Sequence, residues 1–143
     1  MKYKVSINFY VLSKMKGFIE KMREYGITND DLAIFDYIYS CCDRRSELSA
    51  ISMNNQKYYW ISHSLIIDAL PLLGKMRENK DGKYVWEAWS DSTVLRSINR
   101  LCDVGLVLRE YEYFKAYKSK NRRKKTFYAI PREIKGLYNK HGK

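Results

Sequence analysis

"SDSTVLRSINRLCDVGLVLRE", residues 90–110, decides how the rest of the chain is read. It opens on hydroxyl and carboxylate side chains suited to capping a helix. It then keeps an apolar period of three and four, reaches a glycine at position 105 and passes at once into a strand pattern. At about 100° per residue, Val94, Leu95, Ile98, Leu101 and Cys102 fall on one arc. Thr93, Arg96 and Arg100 cluster opposite its centre, with Ser92, Ser97 and Asn99 at the margins and no acid other than Asp91 at the start. Two guanidinium forks, hydroxyls and an amide are the groups that meet base edges and phosphates in a DNA major groove. A solvated helix face carries the same residue types, so the rest of the chain must choose between the two.

Downstream, "LVLREYEYF" and "TFYAIP" read as strands on either side of "KAYKSKNRRKK", residues 115–125, in which seven of eleven residues are basic and none is acidic. The chain carries a net charge of +11, unevenly placed. Residues 1–114 hold 16 basic and 15 acidic side chains, whereas residues 115–143 hold 11 basic and one acidic, Glu133. Such asymmetry predicts a polyanion partner, nucleic acid or an anionic membrane surface. At the tip of a hairpin, Lys115, Lys118, Lys120, Arg122, Arg123, Lys124 and Lys125 repel one another unless a polyanion neutralises them. Tyr117 among them can stack or bond a phosphate.

Upstream, "YKVSINFYV" alternates as a strand over residues 3–11, and Leu12, Met15, Ile19 and Met22 follow at helical spacing up to Gly26. Thr28 is an N-cap for a central amphipathic helix with Asp30 and Asp31 in its first turn and Leu32, Phe35, Ile38, Tyr39 and Cys42 on one face. Two short strands around Asn54-Asn55 predict a hairpin, and Ser62 caps a short helix that stops near Pro71. Residues 75–89 hold a turn at Asp81-Gly82 and the aromatic residues Tyr84, Trp86 and Trp89, consistent with a hairpin or lid.

The composition, 45% hydrophobic with 13 tyrosines and three tryptophans, suits one folded domain. Three cysteines, Cys41, Cys42 and Cys102, form no disulfide framework and fit a reducing, cytoplasmic setting. No signal-peptide pattern is visible, and no apolar run approaches the ~20 residues of a membrane span. Neither a G-x-x-x-x-G-K-[ST] loop nor G-x-G-x-x-G occurs, and His63 and His141 stand far apart with no C-x-x-C or H-E-x-x-H. Helix capping and turn formation account for Asp30, Asp31 and Asp81 more simply than a nuclease site does. The expectation is a protein that is no enzyme and needs no cofactor or metal.

The order helix, hairpin, helix, helix, strand, basic loop, strand resembles the winged helix-turn-helix domains of small phage and plasmid replication initiators and transcriptional regulators. The likeness spans about residues 28–131 and is carried by "YYWISHSLIIDALPLLG", "SDSTVLRSINRLCDVGLVLRE" and "KTFYAIP". It implies an α+β fold, a winged-helix domain over 27–131 with a small antiparallel sheet and a basic β-wing; outside the resemblance lie an N-terminal strand–helix extension over 1–26 and a basic tail over 132–143. It further implies that Ser92, Thr93, Arg96, Ser97 and Arg100 form the base-reading face of a recognition helix over 91–103. The wing at 115–125 would lie on the DNA backbone. The 75–89 segment departs from the family, whose motif helices are joined by a short turn. The expected activity is sequence-preferring binding of double-stranded DNA, as a phage-type regulator or replication accessory factor, with a homodimer possible and no membrane role. The alternative is a protein-interaction module, such as an inhibitor occupying the nucleic-acid site of a larger enzyme, using Tyr84, Trp86 and Trp89.

Overall fold

The computed structural model describes residues 5–44, 48–115 and 122–141. Among them the chain is a mixed α+β structure of six helices and six strands. In order these are α1 (Phe9–Ser13), α2 (Phe18–Tyr25), α3 (Asn29–Arg44), β1 (Ala50–Met53), β2 (Gln56–Trp60), α4 (His63–Ala69), β3 (Gly74–Glu78), β4 (Tyr84–Ala88), α5 (Asp91–Val104), β5 (Leu108–Lys115), β6 (Arg122–Ala129) and α6 (Arg132–His141). Four strands form an antiparallel sheet in the order β1-β2-β6-β5, while β3 and β4 form a separate two-stranded sheet.

Local chemistry explains the boundaries. Thr28 and Asp31 cap α3 reciprocally: the Asp31 N–H donates to Thr28 Oγ1 at 3.2 Å, and the Thr28 N–H donates to Asp31 Oδ2 at 3.0 Å. Ser62 Oγ accepts from the Leu65 N–H at the start of α4, and Ser90 Oγ from the Thr93 N–H at the start of α5. Gly105 ends α5 at φ 87°, a left-handed conformation that a side chain would strain. Asn54 and Asn55 both take positive φ, 53° and 60°, and join β1 to β2 in the tight turn that two such residues favour.

The core lies between the sheet and the helices. Ile34, Phe35 and Ile38 of α3 meet Ile66 of α4, Val94, Ile98 and Leu101 of α5, and Tyr128 at the end of β6. Each of the aliphatic side chains and Phe35 contributes about 1.5–3 kcal/mol by leaving water. Helix α6 joins this core through Ile134, and Tyr138 stacks on Tyr39 at 4.4 Å between ring centres. A smaller cluster of Tyr58, Phe127 and Ala129, flanked by Ile51 and Leu108, forms apart from the main core.

One expected element is absent. Of the strand expected over residues 3–11, Tyr3 and Lys4 lie outside the described residues, residues 5–8 take no regular structure and α1 begins at Phe9. Asn8 Oδ1 accepts from the Val11 N–H at 3.1 Å, which starts a helix where the alternation suggested a strand. Burial follows the helix: the adjacent Val11 and Leu12 are both buried, while Val5 and Phe9 are exposed. No helix among the described residues is long and apolar enough to cross a membrane.

Candidate nucleic-acid interface

Helix α5 sits with Val94, Ser97, Ile98, Leu101 and Val104 buried and Ser92, Leu95, Arg96 and Asp103 exposed. Thr93, Asn99 and Arg100 are half-buried at the border. The helix is therefore rotated from the orientation its sequence suggests. Leu95, expected on the core arc, is 42% exposed, and Ser97, expected at the edge of the reading face, is fully buried. Asp103 adds a carboxylate to the solvent side.

The cause is Asp31, whose carboxylate is completely buried. It accepts the Ser97 hydroxyl at 2.6 Å on Oδ1 and Arg100 through Nη2 at 2.7 Å on Oδ1 and Nε at 3.0 Å on Oδ2. The capping bond from Thr28 makes a fourth donor. Burial alone would raise the pKa of this carboxyl. The bonds from Arg100, Ser97 and the Thr28 backbone outweigh it and hold Asp31 below its ordinary 3.8. Ser97 is thus removed from any reading surface, and one edge of Arg100 is committed to joining α5 to α3. Arg96 differs: it is exposed, has no ion pair among the described residues, and donates through Nη2 to Thr93 Oγ1 at 3.5 Å.

Beside α5 runs the β5–β6 hairpin, in register from Leu108↔Ala129 to Lys115↔Arg122, with Phe114↔Arg123, Tyr113↔Lys124 and Glu112↔Lys125 between. The strands bring the basic positions 115 and 122–125 to its far half. Tyr117, Lys118 and Lys120 lie outside the described residues. Lys125 Nζ lies 4.4 Å from the centre of the Trp60 ring.

One residue of this face, Arg109, escaped the sequence reading as a site member, and Asn99 was placed only at its margin. Arg109, on β5, donates through Nη1 to Asn99 Oδ1 at 2.6 Å, and its guanidinium lies 5.7 Å from the centre of the Tyr111 ring. The clue available was alternation along β5, which puts Arg109 and Tyr111 on one side of the strand.

No family model, no curated protein and no solved structure matches this chain.

The 75–89 segment forms the β3–β4 hairpin, closed at its base by the Trp89 N–H to the Leu73 carbonyl and at its tip by Asn79, whose Oδ1 accepts from the Asp81 and Lys83 amides. Met76 pairs with Trp86 and Glu78 with Tyr84, and Met76, Tyr84 and Trp86 are all exposed, Tyr84 to 68%. Trp89 instead packs against the main core. An open cleft of about 310 Å³, lined by Trp60, Ile61, Ser62, His63, Ser64, Asp91 and Thr126, lies where α4 and α5 begin. Asp91 on its wall disfavours an anion there, and burial lowers the pKa of His63. Among the described residues no group of three or more His, Cys, Asp or Glu is placed to hold a metal ion.

Proposed function

We propose that the chain is a winged-helix protein without enzymatic activity that binds double-stranded DNA, with α5 in the major groove and the basic β5–β6 hairpin on the adjacent backbone. The observation that carries this reading is the pairing of an exposed Arg96 on α5, which has no ion pair among the described residues, with a hairpin that follows the helix directly and gathers basic residues at its far end. The order β1-β2-β6-β5, in which an early hairpin supports the later one, is consistent with a winged helix. On this reading Ser92, Thr93 and Arg96 face base edges and phosphates, Asn99 joins them with Arg109 bonded behind it, and Ser97 and Arg100 act as internal struts. Such a protein would serve as a phage-type regulator or replication accessory factor.

Fluorescence anisotropy with a random duplex pool, a single-stranded pool and structured RNA, at low and near-physiological salt, tests it, with retained duplexes sequenced. The expected result is an enriched duplex motif that survives the higher salt. Arg96→Ala should relax that motif at one base pair and cost about 1–3 kcal/mol of binding. Binding that enriches nothing and vanishes with salt would refute the reading.

A protein-interaction role is the second reading, favoured by the exposed Met76, Tyr84 and Trp86 on a hairpin that pairs with no other strand among the described residues. It predicts stable co-purification with a protein, abolished by Tyr84→Ala with Trp86→Ala.

A further inference from the structure

Asn99 has an amide that can present either a donor or an acceptor to a ligand, and its neighbour Arg109 removes that choice. Guanidinium groups only donate, so the Asn99 side-chain atom 2.6 Å from Arg109 Nη1 has to be the carbonyl oxygen, Oδ1. The amide nitrogen, Nδ2, is then the end turned away from Arg109. Arg109 is itself held in place: it lies on β5, in register with the fully buried Tyr128, with the Tyr111 ring beside its guanidinium. Asn99 lies three residues from Arg96, on the neighbouring turn of α5 and on the same side of the helix.

We infer that Arg109 is a positioning residue that fixes Asn99 as a hydrogen-bond donor, and that Asn99 beside Arg96 selects a base edge rich in acceptors, namely guanine. This rests on the DNA-binding reading of α5. A free asparagine favours adenine, because it donates to N7 and accepts from N6 at once. The Arg109 bond engages one Oδ1 lone pair and turns that end of the amide towards β5, so accepting from adenine N6 while donating to N7 is disfavoured and adenine loses its advantage. Guanine offers N7 and O6, both acceptors, to the Asn99 N–H and to Arg96.

The test is selection and sequencing of bound duplexes from a randomised pool, using the full chain and the variants Asn99→Ala, Asn99→Asp and Arg109→Met. The position read by Asn99 is the one at which Asn99→Ala loses its preference. The wild-type protein should show guanine there. Arg109→Met should free the amide and raise adenine over guanine at that position by about tenfold, while other positions keep their preferences. Asn99→Asp keeps a partner for Arg109, and so keeps the fold, but has no outward N–H and should lose the guanine preference. A brace that only stiffened the junction of helix and strand would change affinity without changing the preferred base. A wild-type motif left unaltered at every position by Asn99→Ala, or the same base selected by wild type and Arg109→Met, overturns the inference and leaves DNA binding intact. No motif for the wild-type protein overturns both.

Discussion

Asp31 gathers four hydrogen-bond donors from three sources: the backbone of its own helix start, a serine and an arginine of α5. A fully buried carboxylate is tolerated because each bond falls on the charged form. Removing the charge leaves Arg100 without a counter-ion at the α3–α5 junction, so Asp31→Asn should lose about 3 kcal/mol in urea unfolding. The sign of its pH dependence follows from the lowered pKa. The folded state binds the proton less readily than the unfolded state, so the stabilisation is complete above the ordinary carboxyl value of 3.8 and is lost as pH falls through the lower folded value. Unfolding followed from pH 6 to 2 should show a steeper acid loss for the wild type than for Asp31→Asn. Equal slopes would mean that the carboxylate gains nothing from its partners. The same geometry separates the two arginines: Arg100→Ala should lower stability and leave base preference intact, the reverse of Arg96→Ala. Nothing within the helix sequence marked this difference. Ser97 and Arg100 lie 66 and 69 residues from Asp31, beyond any local window, and only that partner tells a polar residue turned inward from one facing water.

The β3–β4 hairpin is held by its own ladder and by a few bonds at its base, among them Trp86 Nε1–H to the Pro71 carbonyl at 2.9 Å. Two strands alone are marginal in water, so a small insult should open them. Gly74 is the point to press: a Cβ there would run into the Glu87 carbonyl oxygen and reach within 3.0 Å of the Trp86 ring. Gly74→Ala should cost the hairpin about 1–3 kcal/mol. Amide exchange across the ladder should quicken by tenfold or more while the main unfolding transition stays in place. A shifted main transition would show that the hairpin is part of the cooperative core. This hairpin was legible from the Asp81-Gly82 turn, as was the β1–β2 hairpin from Asn54-Asn55 and α5 from its serine cap and closing Gly105. Those signals act within a few residues. The N-terminal alternation misled because Asn8 supplied a competing cap, and because a strand needs an edge to pair with, which no local pattern specifies.

Charge is distributed in the molecule so that residues 1–114 are nearly balanced and the excess lies at one end of the chain, with +10 of the net +11 in residues 115–143. If DNA neutralises the hairpin, the ions released set how steeply affinity falls with salt, at about 0.9 units of log K per unit of log salt for each phosphate contacted. Lys115, Lys118, Lys120, Arg122, Arg123 and Lys124 are the residues to neutralise. Lys125 is left in place because its ammonium lies over Trp60 and its loss would mix packing with charge. Six such contacts would weaken wild-type binding about 10³-fold between 50 and 200 mM salt. Replacing all six with glutamine should flatten the slope by up to about five units and weaken every duplex alike, with the selected motif unchanged because base edges are read by α5. An unchanged slope would mean that the basic hairpin stays in solvent when DNA is bound. A changed motif would mean that the hairpin itself reads sequence, in the minor groove, where arginine is drawn to narrow A·T tracts.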